Sequence, residues 1–156
     1  MLDLGSVAPG FSLPDENGDI KNLSDFLGKF VAIYFYPADD TPGCTIEAND
    51  FTALASEFAA LDPVVIGVSK DTCESHTAFI DKFGLKVDLL ADTSGELCEL
   101  YNVWREREKN GVKSMAILRS TFIIDKQGVV RMKHIGPVTP EVLHDRIEPL
   151  LKKLNA

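Results

Sequence analysis

Phe30-Val31-Ala32-Ile33-Tyr34-Phe35-Tyr36-Pro37-Ala38-Asp39-Asp40-Thr41-Pro42-Gly43-Cys44 is the stretch on which the fold turns. Its first seven residues are apolar, aromatic or β-branched without interruption. Such a run reads as a strand buried on both faces, and Pro37 ends it. Thr41 then suits a helix N-cap and Pro42 the first helical position, so Cys44 falls in the first turn. A buried strand that feeds straight into a helix places that turn at the carboxyl edge of the sheet, where ligands collect in open α/β folds.

Working outward, Pro63-Val64-Val65-Ile66-Gly67-Val68-Ser69 is a second buried strand of the same kind. Thr121 to Asp125 and Val129 to Lys133 flank Lys126-Gln127-Gly128 and read as a β-hairpin. The opening, Ala8 to Gly18, reads as short extended pieces joined by turns rich in Gly, Pro and Asn. Helical patterns lie between the strands. Phe51, Leu54, Ala55 and Phe58 follow i, i+3, i+4, i+7 spacing, Phe79, Ile80 and Phe83 form a second stripe, and Leu97, Leu100 and Tyr101 a third around Cys98. Val142, Leu143, Ile147, Leu150 and Leu151 predict an amphipathic C-terminal helix that Pro149 kinks or restarts. This order predicts an α/β protein with a central mixed β-sheet flanked by helices, and suits a thioredoxin-like fold. With no internal repeat, low-complexity tract or long linker, the 156 residues read as a single domain over 1–156.

Composition narrows the function. Sixteen Lys and Arg against 24 Asp and Glu leave a net charge of −8, which repels polyphosphate and anionic lipid, so neither nucleic acid nor a membrane surface is expected as a partner. The start, Met1-Leu2-Asp3-Leu4-Gly5, lacks the basic and apolar regions of a signal peptide. No run approaches the ~18 to 20 apolar residues of a membrane span. Three cysteines at irregular spacings (Cys44, Cys73 and Cys98) make neither a disulfide framework nor a Cys-x-x-Cys pair. A reducing cytoplasm is the expected setting, in which an exposed cysteine is reactive rather than structural. His134 and His144 lack metal-ligand spacing.

By position alone Cys44 reads either as a small core residue or as a nucleophile. Free N–H groups and the positive end of the helix dipole favour a thiolate in a first turn. A thiolate that attacks a peroxide needs a donor to orient the two oxygens and a cation for the leaving oxygen. Thr41 sits one turn before Cys44 with a hydroxyl that suits the first task. Pro37 offers an apolar wall, and Arg119, just before the strand Thr121 to Asp125, is placed for a sheet neighbour to aim it at the same edge.

Pro37-x-x-x-Thr41-x-x-Cys44 resembles the active-site pattern of the peroxiredoxins, and the longer run Tyr34 to Ala48 is similar to that of their PrxQ, or bacterioferritin comigratory protein, subgroup. Arg119-Ser120-Thr121-Phe122-Ile123-Ile124-Asp125 resembles the second signature of that subgroup, and Ala8-Pro9-x-Phe11-x-Leu13 its opening. The resemblance implies a thioredoxin-dependent peroxidase with an antioxidant role that reduces hydrogen peroxide and organic hydroperoxides through a cysteine sulfenic acid. It implies Cys44 as the peroxidatic cysteine, Thr41 as the hydrogen-bonding hydroxyl, Pro37 as the shield and Arg119 as the cation. Neither metal, haem nor flavin is implied. Electrons would come from a small thiol donor such as thioredoxin, glutaredoxin or glutathione, and the chain would act as a monomer or weak dimer. Glu47 reads either as a carboxylate that orders the site or as an early-helix acid favoured by the dipole. Asp39 and Asp40 read as solvated loop residues, and His76 as a surface helix residue.

The sequence departs from the subgroup where the sulfenic acid must be recycled. Asn49 and Ile80 stand at the positions of the usual resolving cysteines. Cys73 is the substitute to consider: Asp71-Thr72-Cys73-Glu74 resembles a capping box with Asp71 as cap, which puts Cys73 in a first turn near the same sheet edge. Its alternatives are a resolving cysteine and an incidental thiol in an enzyme with one working cysteine. Cys98 reads as packing, Trp104 as a cover at a helix end, and Arg105 to Lys109 as a solvated loop or helix end. Two rival functions share the fold: a disulfide reductase, disfavoured by the missing Cys-x-x-Cys, and a peroxide sensor that relays oxidation without turnover.

Overall fold

The computed structural model describes residues 3–57 and 63–155, with the side chains of 54–57 and 155 outside the description. Phe58 and the side chains of Leu54 and Ala55 therefore lie outside the described residues, while Phe51 is buried as its stripe predicts. The chain runs β1 (Ser12–Pro14), β2 (Ile20–Asn22), a 3₁₀ turn, β3 (Val31–Phe35), α1 (Pro42–Glu57), β4 (Val64–Ser69), α2 (Cys73–Phe83), β5 (Asp88–Ala91) and α3 (Glu96–Leu100). It continues through β6 (Trp104–Lys109), β7 (Val112–Ile117), β8 (Ser120–Ile124), β9 (Val130–Ile135), α4 (Pro140–Val142), a π-helical turn (Leu143–Ile147) and α5 (Glu148–Asn155).

Five strands form the central sheet in the order β5-β4-β3-β8-β9. β3, β4 and β5 are parallel, and β8 and β9 are antiparallel, which is the mixed sheet the element order predicts. β3 lies in the middle and all five of its residues are buried. Ala32 and Tyr34 point to one face, against Phe51 of α1, Phe79 of α2 and Leu143 and Ile147 of the C-terminal helices. Val31, Ile33 and Phe35 point to the other, against Leu97 and Tyr101. Cover on both faces is what permits an unbroken apolar strand.

Tyr34 shows how tightly the first face is filled. Its ring stacks on Phe51 at 4.3 Å between centroids. A Cβ at Gly67 on the neighbouring strand would lie 2.8 Å from the Tyr34 ring and 2.7 Å from Leu89 Cδ2. Only glycine lets the large ring lie across β4.

Several local readings change. Arg105 to Lys109 are solvated as expected, but they form β6, an exposed strand paired with β7. Asn110 and Gly111 close that hairpin with φ of +53° and +77°, the backbone that an Asn-Gly turn adopts readily. Trp104 begins β6 rather than covering a helix end, with the Lys70 ammonium 4.2 Å above its ring. Around Pro149 the backbone stays helical, and a π-helical turn gives way to a fresh α-helix at Glu148, the restart that Pro149 predicts. The i→i−5 bond from the Glu148 N–H to the Leu143 carbonyl widens the turn before it, which accommodates a residue without an N–H. No helix among the described residues is long and apolar enough to cross a membrane.

Candidate active site

Cys44 is the third residue of α1, two positions after Pro42 opens the helix, and is 1% exposed. Across the sheet, Phe35 pairs with Ser120, so Arg119 arrives beside the end of β3 as its sequence position suggests. Its guanidinium then spans two partners. Nη2 donates to Cys44 Sγ at 3.0 Å and Nη1 donates to Glu47 Oε1 at 3.0 Å. The other Glu47 oxygen accepts the Val138 N–H at 2.8 Å. Glu47, one turn after Cys44, is buried and holds the arginine in place, so of its two readings the ordering carboxylate fits the geometry.

The charges in this group depend on one another. Burial raises the Glu47 carboxyl above its ordinary range, against the Val138 N–H and Arg119, which lower it. Burial lowers the Arg119 guanidinium, but its bonds and charge pairing with Cys44 and Glu47 outweigh that and raise it. The arginine stays charged and the sulfur receives a charge-assisted donor.

Thr41 precedes α1, and its hydroxyl donates back to the Ala38 carbonyl at 3.1 Å. Its own carbonyl accepts from the N–H and hydroxyl of Thr45, both at 2.8 Å. The cap bond expected of its side chain is replaced by that turn contact. Pro37 is exposed, and with Ile117, Leu118 and Arg119 it lines an open depression of about 470 Å³ against the β6–β7 hairpin. Cys44, Thr41, Arg119 and Pro37 are thus gathered at the carboxyl end of β3.

Behind them lies a polar network that the sequence reading missed. His76 is wholly buried, not on the surface, and the Asp39 side chain is 4% exposed, not solvated. The Asp39 carboxylate accepts from the Tyr36 hydroxyl, from Ser75 Oγ at 2.7 Å and from His76 Nδ1 at 2.7 Å. The signal was present: His76 stands three residues before Phe79 and extends the buried stripe of α2 by one turn. Asp40 is solvated as expected and pairs with Lys82 at 2.8 Å.

Burial raises the Asp39 carboxyl, but the hydrogen bonds from His76, Tyr36 and Ser75 and the pairing with His76 win and hold it below its ordinary 3.8. A carboxyl lowered in the folded state contributes stability above its unfolded value and loses it as pH falls through the folded one. The stability advantage of the unaltered chain over Asp39→Asn is therefore expected at pH 6 and should vanish on acidification below 3.8. Denaturant titrations of both proteins across that range check this. A gap that stays constant into acid removes the Asp39 charge as its source.

The remaining cysteines are free thiols, like Cys44. Cys73 is the first residue of α2, half-buried, and lines a cavity of about 490 Å³ with Leu13, Pro14 and Ala91. The cap of that helix is Thr72, whose hydroxyl accepts the Ser75 N–H, rather than Asp71. The Asp71 carboxylate instead accepts the Asp39 N–H and the Ser69 hydroxyl, both at 2.8 Å. Cys98 is fully buried, and burial together with Asp92 pushes its thiol far up, as suits packing. Asp15, Glu16 and Asp88 bring carboxylate oxygens within 4.8 Å of one another. Asp15 closes the β1–β2 turn and Glu16 accepts the Leu89 N–H, which accounts for them structurally.

The chain is similar to known proteins in both sequence and fold. Residues 4–133 match the AhpC/TSA family. The chain is 46% identical over 129 residues to a putative peroxiredoxin bcp of Helicobacter pylori, covering 83% of this chain and 85% of the relative. It is 45% identical over 127 residues to peroxiredoxin Bcp of Bacillus subtilis, covering 81% of each. Among solved structures it resembles the Xanthomonas campestris bacterioferritin comigratory protein, described for its alkyl peroxide reduction activity, with a TM-score of 0.84, 33% identity and coverage of 97% and 96%. It also resembles the peroxidoxin BcpB of Mycobacterium tuberculosis, with a TM-score of 0.85, 30% identity and full coverage of both chains.

Proposed function

Because the chain belongs to the AhpC/TSA family and is a thiol-dependent peroxidase of thioredoxin-like fold, we propose that Cys44 is its peroxidatic nucleophile, with Arg119, Thr41 and Pro37 as its catalytic surroundings. The observation that carries this reading is the Arg119 fork, with one arm on Cys44 Sγ and the other on Glu47.

In the reaction, the Cys44 thiolate attacks the nearer oxygen of the peroxide. An S–O bond forms as the O–O bond breaks, sulfur is oxidised to the sulfenic acid, and the leaving oxygen departs with a proton as water or an alcohol. The Arg119 guanidinium steadies the thiolate and then the charge on the leaving oxygen. The Thr41 hydroxyl, which needs only to turn from the Ala38 carbonyl, orients the peroxide. Pro37 gives the rim of the depression a wall without an N–H, beside Arg119.

Recycling uses a thiol donor of the thioredoxin, glutaredoxin or glutathione class. The chain acts as one domain in the cytoplasm, as a monomer or weak dimer. Cys73 is the candidate resolving thiol, supported by its half-buried position and by the bonds that tie the Cys44 loop to the start of α2. Mass mapping after one equivalent of hydrogen peroxide tests both roles. A +16 Da or trapped sulfenic adduct confined to Cys44, followed by a Cys44–Cys73 disulfide, is expected. Oxidation first appearing at Cys73 or Cys98 overturns the assignment, and a persistent Cys44 sulfenic acid removes the resolving role alone.

A further inference from the structure

We propose that His76, acting through Asp39, is a positioning residue that sets how readily the first turn of α1 opens, and so divides Cys44 between attack on peroxide and recycling by thiol. This rests on the reading of Cys44 as the reacting cysteine.

Recycling has a steric demand that peroxide attack lacks. A thiol must approach the sulfenic sulfur, form an S–S bond and expel the hydroxyl as water; a second thiol then releases the Cys44 thiol and leaves with the first as a disulfide. Cys44 is 1% exposed inside a helix turn, with Arg119 over its sulfur. A peroxide brings only two oxygens to the sulfur, whereas a sulfur nucleophile on a larger molecule reaches Sγ only when that turn opens. The segment that moves is residues 37–44, and what holds it decides the balance.

The hold is concentrated at Asp39. Its N–H donates to Asp71 at 2.8 Å, and its carboxylate gathers the Tyr36 hydroxyl, Ser75 Oγ and His76 Nδ1. His76 extends the tie inward, because its Nε2 lies 3.0 Å from the Leu90 carbonyl on β5. Both ring nitrogens therefore face acceptors, and the ring bridges sheet and loop with no solvent contact. The Asp40–Lys82 pair beside it is exposed at both ends and adds little.

The next residue shows the tie under load. Asp40 has φ of +56°, in the left-handed region that aspartate adopts more readily than most side chains but still at some cost. It remains there because Asp39 is fixed before it and α1 begins after it. Such strain persists only where the surroundings over-determine it, and loosening Asp39 lets it relax toward the open loop. The hydrogen bonds of Asp39, Ser75 and His76 do not reach Cys44 Sγ, whose donor is Arg119, so their influence passes through the loop.

Two rates separate this role from a merely structural one: oxidation of Cys44 by hydrogen peroxide, and capture of the preformed sulfenic acid by 2-nitro-5-thiobenzoate, both in a Cys73→Ser background. Loss of one charge-assisted bond in His76→Gln is expected to raise capture about tenfold while oxidation falls or stays level. Ser75→Ala, which leaves the ring in place, should move the rates the same way by about threefold. It decides the matter if His76→Gln no longer melts cooperatively. Rates that fall together, or that do not move, overturn the proposal. Absence of Cys44 oxidation in the unaltered chain overturns instead the reading on which it rests.

Discussion

Cys44→Ser is expected to reduce peroxide consumption by roughly 10⁴-fold or more, to the background rate of the thiol donor alone, the usual result of deleting a nucleophile from a unit that works together. A serine hydroxyl in the same turn is held by the same arginine, but it is far less ionised than a thiol near neutral pH and a poorer nucleophile toward peroxide oxygen. The substitution changes one buried atom, so the melting transition should be retained. Cys98→Ser, in the same coupled assay with excess donor, should turn over at the parent rate, because burial and Asp92 keep that thiol protonated. Unchanged consumption by Cys44→Ser would remove the central assignment.

Arg119→Met is expected to lower the second-order rate with hydrogen peroxide by about 10²- to 10³-fold, the scale seen when a preorganised donor to a developing charge is removed. The change acts twice. Sγ loses its 3.0 Å donor, and Glu47, already raised by burial, loses its cation. An unpaired buried carboxylate is strongly destabilising, by about 3 kcal/mol or more, so Glu47 should take up a proton and the melting temperature should fall. Arg119→Lys keeps the charge but not the fork that reaches two acceptors, so it should recover only part of the rate. Stopped-flow oxidation kinetics read the first effect and thermal denaturation the second. Equal rates for the arginine and methionine proteins would leave the fork as structural only.

Much of this was legible in the chain because the signals are local. Phe30 to Tyr36 announce a covered strand by composition, Thr41-Pro42 announce a helix start, and Arg119 stands where a strand neighbouring β3 begins. What was lost depends on tertiary contact. Asp39 in a loop and His76 among polar neighbours look solvated until α2 lays one against the other. Thr72 displaced Asp71 as the cap because Asp71 is engaged by the Asp39 N–H, a partner 32 residues away. The β6–β7 hairpin is a different case. Asn110-Gly111 is a strong turn signal, and the charges of Arg105 to Lys109 hid an edge ribbon whose faces are both wet.

The span of 75 residues between Cys44 and Arg119 has a consequence for the chain as it is made. On a ribosome adding about 5–20 residues each second, the cysteine emerges roughly 4–15 s before the arginine. α1, β3 and β4 can associate in that interval, but β8 cannot close against β3 until it has been synthesised. On the proposed assignment, the nascent thiol therefore waits at its helix end without its cation, and full reactivity arrives with the closing strand. Synthesis order thereby gives the growing polypeptide an interval in which oxidant meets an unarmed sulfur.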